Sequence, residues 1–254
     1  MDQLLSVINS YLAFLFALSC LGLILFFIFY EPARTFLNLR VIQAFSHFRR
    51  EIELSVEAGK RLHLSLGRGN IHDLQGGAAF IGLTILDRCA REASNSDRPP
   101  VSTSGDGVVT ILSQDTLQYT YRSLSTEQRY DPANARLTGL TPLAYAAGAM
   151  PVIQDEHVSA NLFAGHFGPE VALLTEAGER SHSLTVVGSD SLPAQAVLYA
   201  TSDEPLLGEE LYAAGAYLGA GTAHTASLYM QDILRWVLVV IMVLGAILKL
   251  LGII

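Results

Sequence analysis

The chain has 254 residues, enough for one sizeable domain plus additional segments, and its formal charge of -8 excludes general nucleic-acid binding, which needs a basic surface. The charge is unevenly spread, with no charged residue between Gln3 and Tyr30. Two cysteines are present, Cys20 in that apolar run and Cys89 on an expected helix, so no disulfide framework within one domain is available.

In chain order, the first element is the run "YLAFLFALSCLGLILFFIFY", as long as the roughly 20 apolar residues that cross a bilayer core. A cleaved leader would need a basic start and a small-residue cleavage site, whereas Met-Asp-Gln and bulky Phe and Tyr stand here, so a retained span is expected. A second run, "WVLVVIMVLGAILKLLGII", begins at Trp236. Arg34, Arg40, Arg49, Arg50, Lys60 and Arg61 follow the first span, while its N-terminal flank carries no Lys or Arg. Positive flanks stay in the cytoplasm, so the expected arrangement is an inner-membrane protein with a cytoplasmic central region and both termini outside. The divisions are residues 1–30, an N-terminal transmembrane helix; 31–58, an amphipathic stalk or interfacial helix; 59–222, a cytoplasmic α/β domain; and 223–254, a connecting helix and C-terminal transmembrane helix.

Pro32 suits the first turn of a helix, and Val41, Phe45, Phe48 and Ile52 recur at three- and four-residue steps beside Arg49 and Arg50. That pattern fits a helix on anionic headgroups and equally a connecting helix packed on its own domain. From Arg61 strand-like runs, "RLHLSL", "PVSTS", "RLTGL", "VSANLFAG" and "LTVVGSD", alternate with helical runs at Gly76 to Ala93, Val108 to Leu124, Pro142 to Gln154, Pro169 to Arg180 and Leu192 to Ser202. This alternation predicts an α/β fold, a mostly parallel, Rossmann-like sheet flanked by helices, with a transmembrane helix at each end. A continuous helix is expected from "TASLYMQDILRW" into the last span.

In an open parallel sheet, ligands bind at the carboxyl ends of the strands. Four loops share that edge: Gly67, Arg68, Gly69 and Asn70; Ser102 to Gly107, with Ser104 and Asp106; Gly165 to Gly168, with His166; and Gly188 to Ser191, with Ser189 and Asp190. As ligand contacts, they would wall a crevice for an anionic small molecule, with Arg68 as one wall. As local structure, the same residues are the glycines that turns need and the Ser and Asp that cap helices. No dinucleotide or P-loop pattern is present, nor a G-x-S-x-G elbow, and the seven histidines show no metal-ligand spacing. No catalytic residue, metal or cofactor is therefore assigned. His166, between two glycines, fits a general base or a polar loop residue. Glu209 and Glu210 are adjacent and would point about 100° apart on a helix, so they do not form a catalytic pair. The small residues from Ala213 to Gly221 invite close backbone packing, against the domain or against another copy. Gly215 and Gly219, four apart, are the expected contact of a homo-oligomer.

The stretches "EAGKRLHLSLGRG", "AYAAGAM", "VSANLFAGHFG" and "GSDSLPAQAVLYATSDEPLLGEELYAAGAYL" resemble an uncharacterised family of membrane-anchored bacterial proteins, best represented in Chloroflexota and known as a domain of unknown function. The similarity runs from Glu57 to Leu218 and implies membrane helices around a cytoplasmic α/β domain, with no activity to carry over. Two functions follow from the residues: a non-enzymatic oligomeric scaffold or sensor whose partners are the bilayer and its own copies, or a membrane-anchored binding domain or enzyme for an anionic small molecule such as a nucleotide.

Overall fold

The apolar runs pair into one parallel sheet in the computed structural model, which describes residues 2–29, 40–72, 76–94 and 96–251. The chain forms two units, Met1–Arg40 with Gly221–Ile254, and Val41–Ala220. Its elements in order are α1 (Asp2–Phe29), α2 (Gln43–Glu57), β1 (Arg61–Gly67), α3 (Gly76–Glu92), β2 (Val101–Ser104), α4 (Gly107–Ser123), β3 (Ala135–Leu137), α5 (Pro142–Asp155), β4 (Val158–His166), α6 (Val171–Arg180), β5 (Leu184–Ser189), α7 (Leu192–Thr201), β6 (Glu204–Leu206), α8 (Glu210–Tyr217) and α9 (Thr222–Leu250).

The strand order is β3-β2-β1-β4-β5-β6, the doubly wound order in which the chain reverses direction between β1 and β4. Register places Leu64 beside Leu162 and Leu162 beside Val186, so one face is continuous and apolar. Leu62, Leu64 and Leu66 bury that face against Phe48 and Ile52 of α2, Leu86 of α3, Leu117 of α4 and Leu211 of α8. Phe163 and Val187 bury the other against Tyr145, Leu174 and Leu198 of α5, α6 and α7.

A row of polar side chains crosses the second face. Nδ1 of His63 lies 3.0 Å from Oδ1 of Asn161 and its Nε2 lies 2.9 Å from Oγ1 of Thr103, while Nδ2 of Asn161 donates to Oγ of Ser183 at 2.7 Å. Because the Asn161 amide nitrogen is spent on Ser183, its oxygen faces His63. His63 is thus the neutral Nδ1–H tautomer, accepting from Thr103 at Nε2. All of these side chains are buried and paired, the condition under which a polar row is tolerated in a core.

Several expectations change. The apolar stripe of α2 packs into the core of the α/β unit through Ala44, Phe45, Phe48 and Ile52, so residues 43–57 are a packed helix rather than a stalk or a helix on headgroups. Pro32 and Arg34 lie outside the described residues. The third strand ends at Leu137, and a sixth, Glu204–Leu206, adds an edge that its three-residue length and Pro205 had concealed.

In the other unit, α1 and α9 meet through Phe27, Ala226 and Tyr229, with the Phe27 and Tyr229 rings 5.5 Å apart. Ser10–Phe29 and Thr222–Leu250 are both long and apolar enough to cross a membrane. Their apolar side chains, such as Phe14, Phe16, Leu238 and Leu244, are exposed, whereas those of a soluble core helix would be covered. The helix entering the last span is continuous from Thr222.

Candidate functional site

The carboxyl edge of the sheet holds the four loops named from sequence, and most of their polar groups serve the fold. Gly67 adopts φ 71°, and a Cβ there would stand 2.4 Å from the carbonyl oxygen of His166, so glycine is required for β1 and β4 to run side by side to their ends. Asp106 caps α4, its Oδ1 accepting from the N–H groups of Val108 at 2.9 Å and Val109 at 3.0 Å. Ser104 is buried and bonds Thr110 at 2.6 Å. The hydroxyl of Ser189 accepts from the N–H groups of Phe167 at 3.1 Å and Ser191 at 3.2 Å. Asn70 turns its own loop by accepting from the N–H of His72 at 3.1 Å, and Gly69 beside it is buried.

Three of the named residues are differently placed. The N–H of Arg68 donates to the His166 carbonyl at 2.8 Å, which sets the two residues side by side where the winding reverses. Each side chain is held from behind by a carboxylate. Nε of Arg68 donates to Oε1 of Glu170 at 2.9 Å, and Nδ1 of His166 lies 2.7 Å from Oδ1 of Asp190. Burial alone would push the Glu170 carboxyl up, but the N–H groups of Gly168 and of Glu170 itself and the Arg68 guanidinium outweigh it and hold the group below the usual carboxylate range. The terminal nitrogens of Arg68 and Nε2 of His166 have no hydrogen-bond partner among the described residues. Around them stand Tyr145, whose hydroxyl bonds Ser65, and Tyr212, whose phenol is pushed up by burial and by the neighbouring Asp190 carboxylate.

A model described as a domain of unknown function, DUF6754, matches residues 3–254. The chain belongs to the DUF6754 family. No curated protein matches it, and no solved structure does.

In this DUF6754 chain the small residues before the C-terminal apolar helix have intrachain roles. Ala213, Ala214 and Gly215 are buried in the α/β unit, where α8 packs beside α3. Gly219 lies beyond the helix end at φ 72°, with Ala220 donating to the carbonyl of Gly215 at 2.8 Å and Gly219 to that of Ala216 at 3.2 Å, which is a Schellman stop. Gly215 and Gly219 therefore do not share a helical face, and Gly215 presents no surface to a second copy. A cavity of about 450 Å³ lies at the opposite, amino edge, lined by Lys60, Gln154, His157 and Arg180. Lys60 and Arg180 stand where α2 and α6 end and complement the helix dipoles.

Sequence reasoning missed Glu170 and Tyr145. Glu170 sits four residues past a histidine in a Gly-Pro turn, and Tyr145 reads as one apolar residue of a helix, so neither shows a spacing that marks a site.

Proposed function

We propose that the chain is a membrane-anchored sensor whose α/β unit faces the cytoplasm and binds an anionic small molecule at the carboxyl edge of its sheet. The observation that carries this reading is the pair Arg68 and His166. Both stand at the reversal between β1 and β4, each is oriented by a carboxylate, and the outer nitrogens of each have no partner among the described residues. A homo-oligomeric scaffold has less support, since the small-residue run that motivated it is used within the chain. A nucleotide is disfavoured as the ligand, because Asp106, the acidic group at the end of β2 that would meet a ribose, is the cap of α4. Thermal unfolding of the full chain in detergent, with small carboxylates and phosphate added at millimolar concentration, tests the reading. Stabilisation by at least one of these anions over a matched chloride control is expected, and no response to any of them would refute it.

A further inference from the structure

Resting on that reading, we infer that Arg68 is a preset grip for a single carboxylate group, with Glu170 and Gly105 as the residues that position it. The guanidinium presents two faces to an acceptor, one built around Nε and one formed by the two terminal nitrogens. Glu170 takes the first through a 2.9 Å bond to Nε, and the second has no partner among the described residues. Glu170 is itself immobilised. Its side chain is 4 % exposed, and Oε1 also accepts from the N–H of Gly168 at 3.0 Å, at the start of α6. The stem of Arg68 is wedged as well. A Cβ on Gly105 would stand 2.5 Å from Cγ of Arg68 and 3.1 Å from the Tyr145 ring, so the arginine crosses the end of β2 only because residue 105 is glycine. A side chain held at stem and at Nε loses little freedom on binding, which is how preorganisation raises affinity.

The charges choose among anions. Arg68 and Glu170 together are neutral, and the remaining attraction comes from the exposed terminal nitrogens and from N–H groups that already offset the Glu170 charge. A monoanionic carboxylate makes two parallel bonds to the open fork. A phosphate dianion makes the same two bonds and leaves its remaining oxygen and second charge without a donor from the fork, whereas both oxygens of a carboxylate are met. The ligand is thus a carboxylic acid, either a free small molecule or the C-terminus of a peptide.

The test uses the full chain in detergent, titrated with benzoate, with phosphate at pH 8, and with a short uncharged peptide bearing a free C-terminus or its amide. Benzoate is expected to bind more tightly than phosphate. Arg68→Lys, which keeps the charge and loses the fork, should weaken benzoate about tenfold, the scale of one charge-assisted hydrogen bond. Gly105→Ala and Glu170→Gln should each weaken it severalfold while circular dichroism shows the fold retained; should either fail to fold, Arg68→Lys decides alone. Tighter binding of the free peptide than of benzoate, lost in the amide, would identify a peptide terminus as the source, and tighter binding of benzoate than of the free peptide a small acid. Unchanged benzoate affinity in Arg68→Lys would overturn the grip and leave the sensor reading standing, as would phosphate binding more tightly than benzoate. Failure of the wild-type chain to bind any of the anions would overturn both.

Discussion

At the scale of single residues, the decisive groups are polar ones whose partners come from distant positions. His63 is fully enclosed, and burial, partly offset by its bond to Asn161, lowers its pKa from 6.5 to about 4. An imidazole that resists protonation when folded destabilises the fold as pH falls below the unfolded value of 6.5, with the loss complete near the folded value of about 4. Chemical denaturation of the full chain between pH 7 and pH 4 should therefore show a loss on the order of 3 kcal/mol attributable to this group. His63→Gln, which can keep one donor and one acceptor and does not titrate, should flatten the profile over that window. Equal slopes for the two proteins would show that the histidine is not held neutral. Burial acts in the opposite direction on the thiol of Cys89, which it pushes up and so keeps protonated and unreactive.

At the scale of elements, glycine decides where helices stop and how closely they approach the sheet. In α3, a Cβ on Gly82 would stand 2.6 Å from the carbonyl oxygen of Ala164, so this helix lies against β4 at a distance that only glycine allows. At the end of α8, Gly215 and Gly219 differ in role, and their substitutions should differ in kind. Gly219→Ala, at a left-handed φ of 72°, should cost about 1 kcal/mol through backbone strain alone. Gly215→Leu forces a large side chain into a packed core and should cost about 1–3 kcal/mol. Thermal denaturation of both variants checks the ranking, and a Gly215→Leu protein as stable as the wild type would show that this glycine faces outward after all.

At the scale of the whole molecule, the two apolar helices raise the question of which side the α/β unit occupies. The arginines and the lysine after the first span predict the cytoplasmic side. Gln128 stands on an exposed turn. In a Cys20→Ala background, Gln128→Cys should resist an impermeant maleimide applied to intact cells and react after permeabilisation. Labelling of intact cells would invert the topology. Much of the architecture is legible without coordinates. Strands β1, β2, β4 and β5 and helices α3 to α7 fall within two residues of where the apolar pattern and the Gly, Pro and Asn punctuation place them. Local pattern suffices there because each element buries a face set by its own period of 2 or 3.6. β6 and α8 escaped, since a three-residue edge strand and a run of small residues have too few apolar positions for any period to show. The sequence by itself determined the class of fold, the two apolar helices and the four loops at one sheet edge, because those follow from interactions between residues close in the chain. Only the tertiary structure decided that Arg68 meets Glu170, that His166 meets Asp190 and that His63 bonds across three strands, at separations of 102, 24 and up to 98 residues. Such pairings depend on strand order and register, and a winding that reverses between β1 and β4 is a property of the assembled sheet that no local stretch contains.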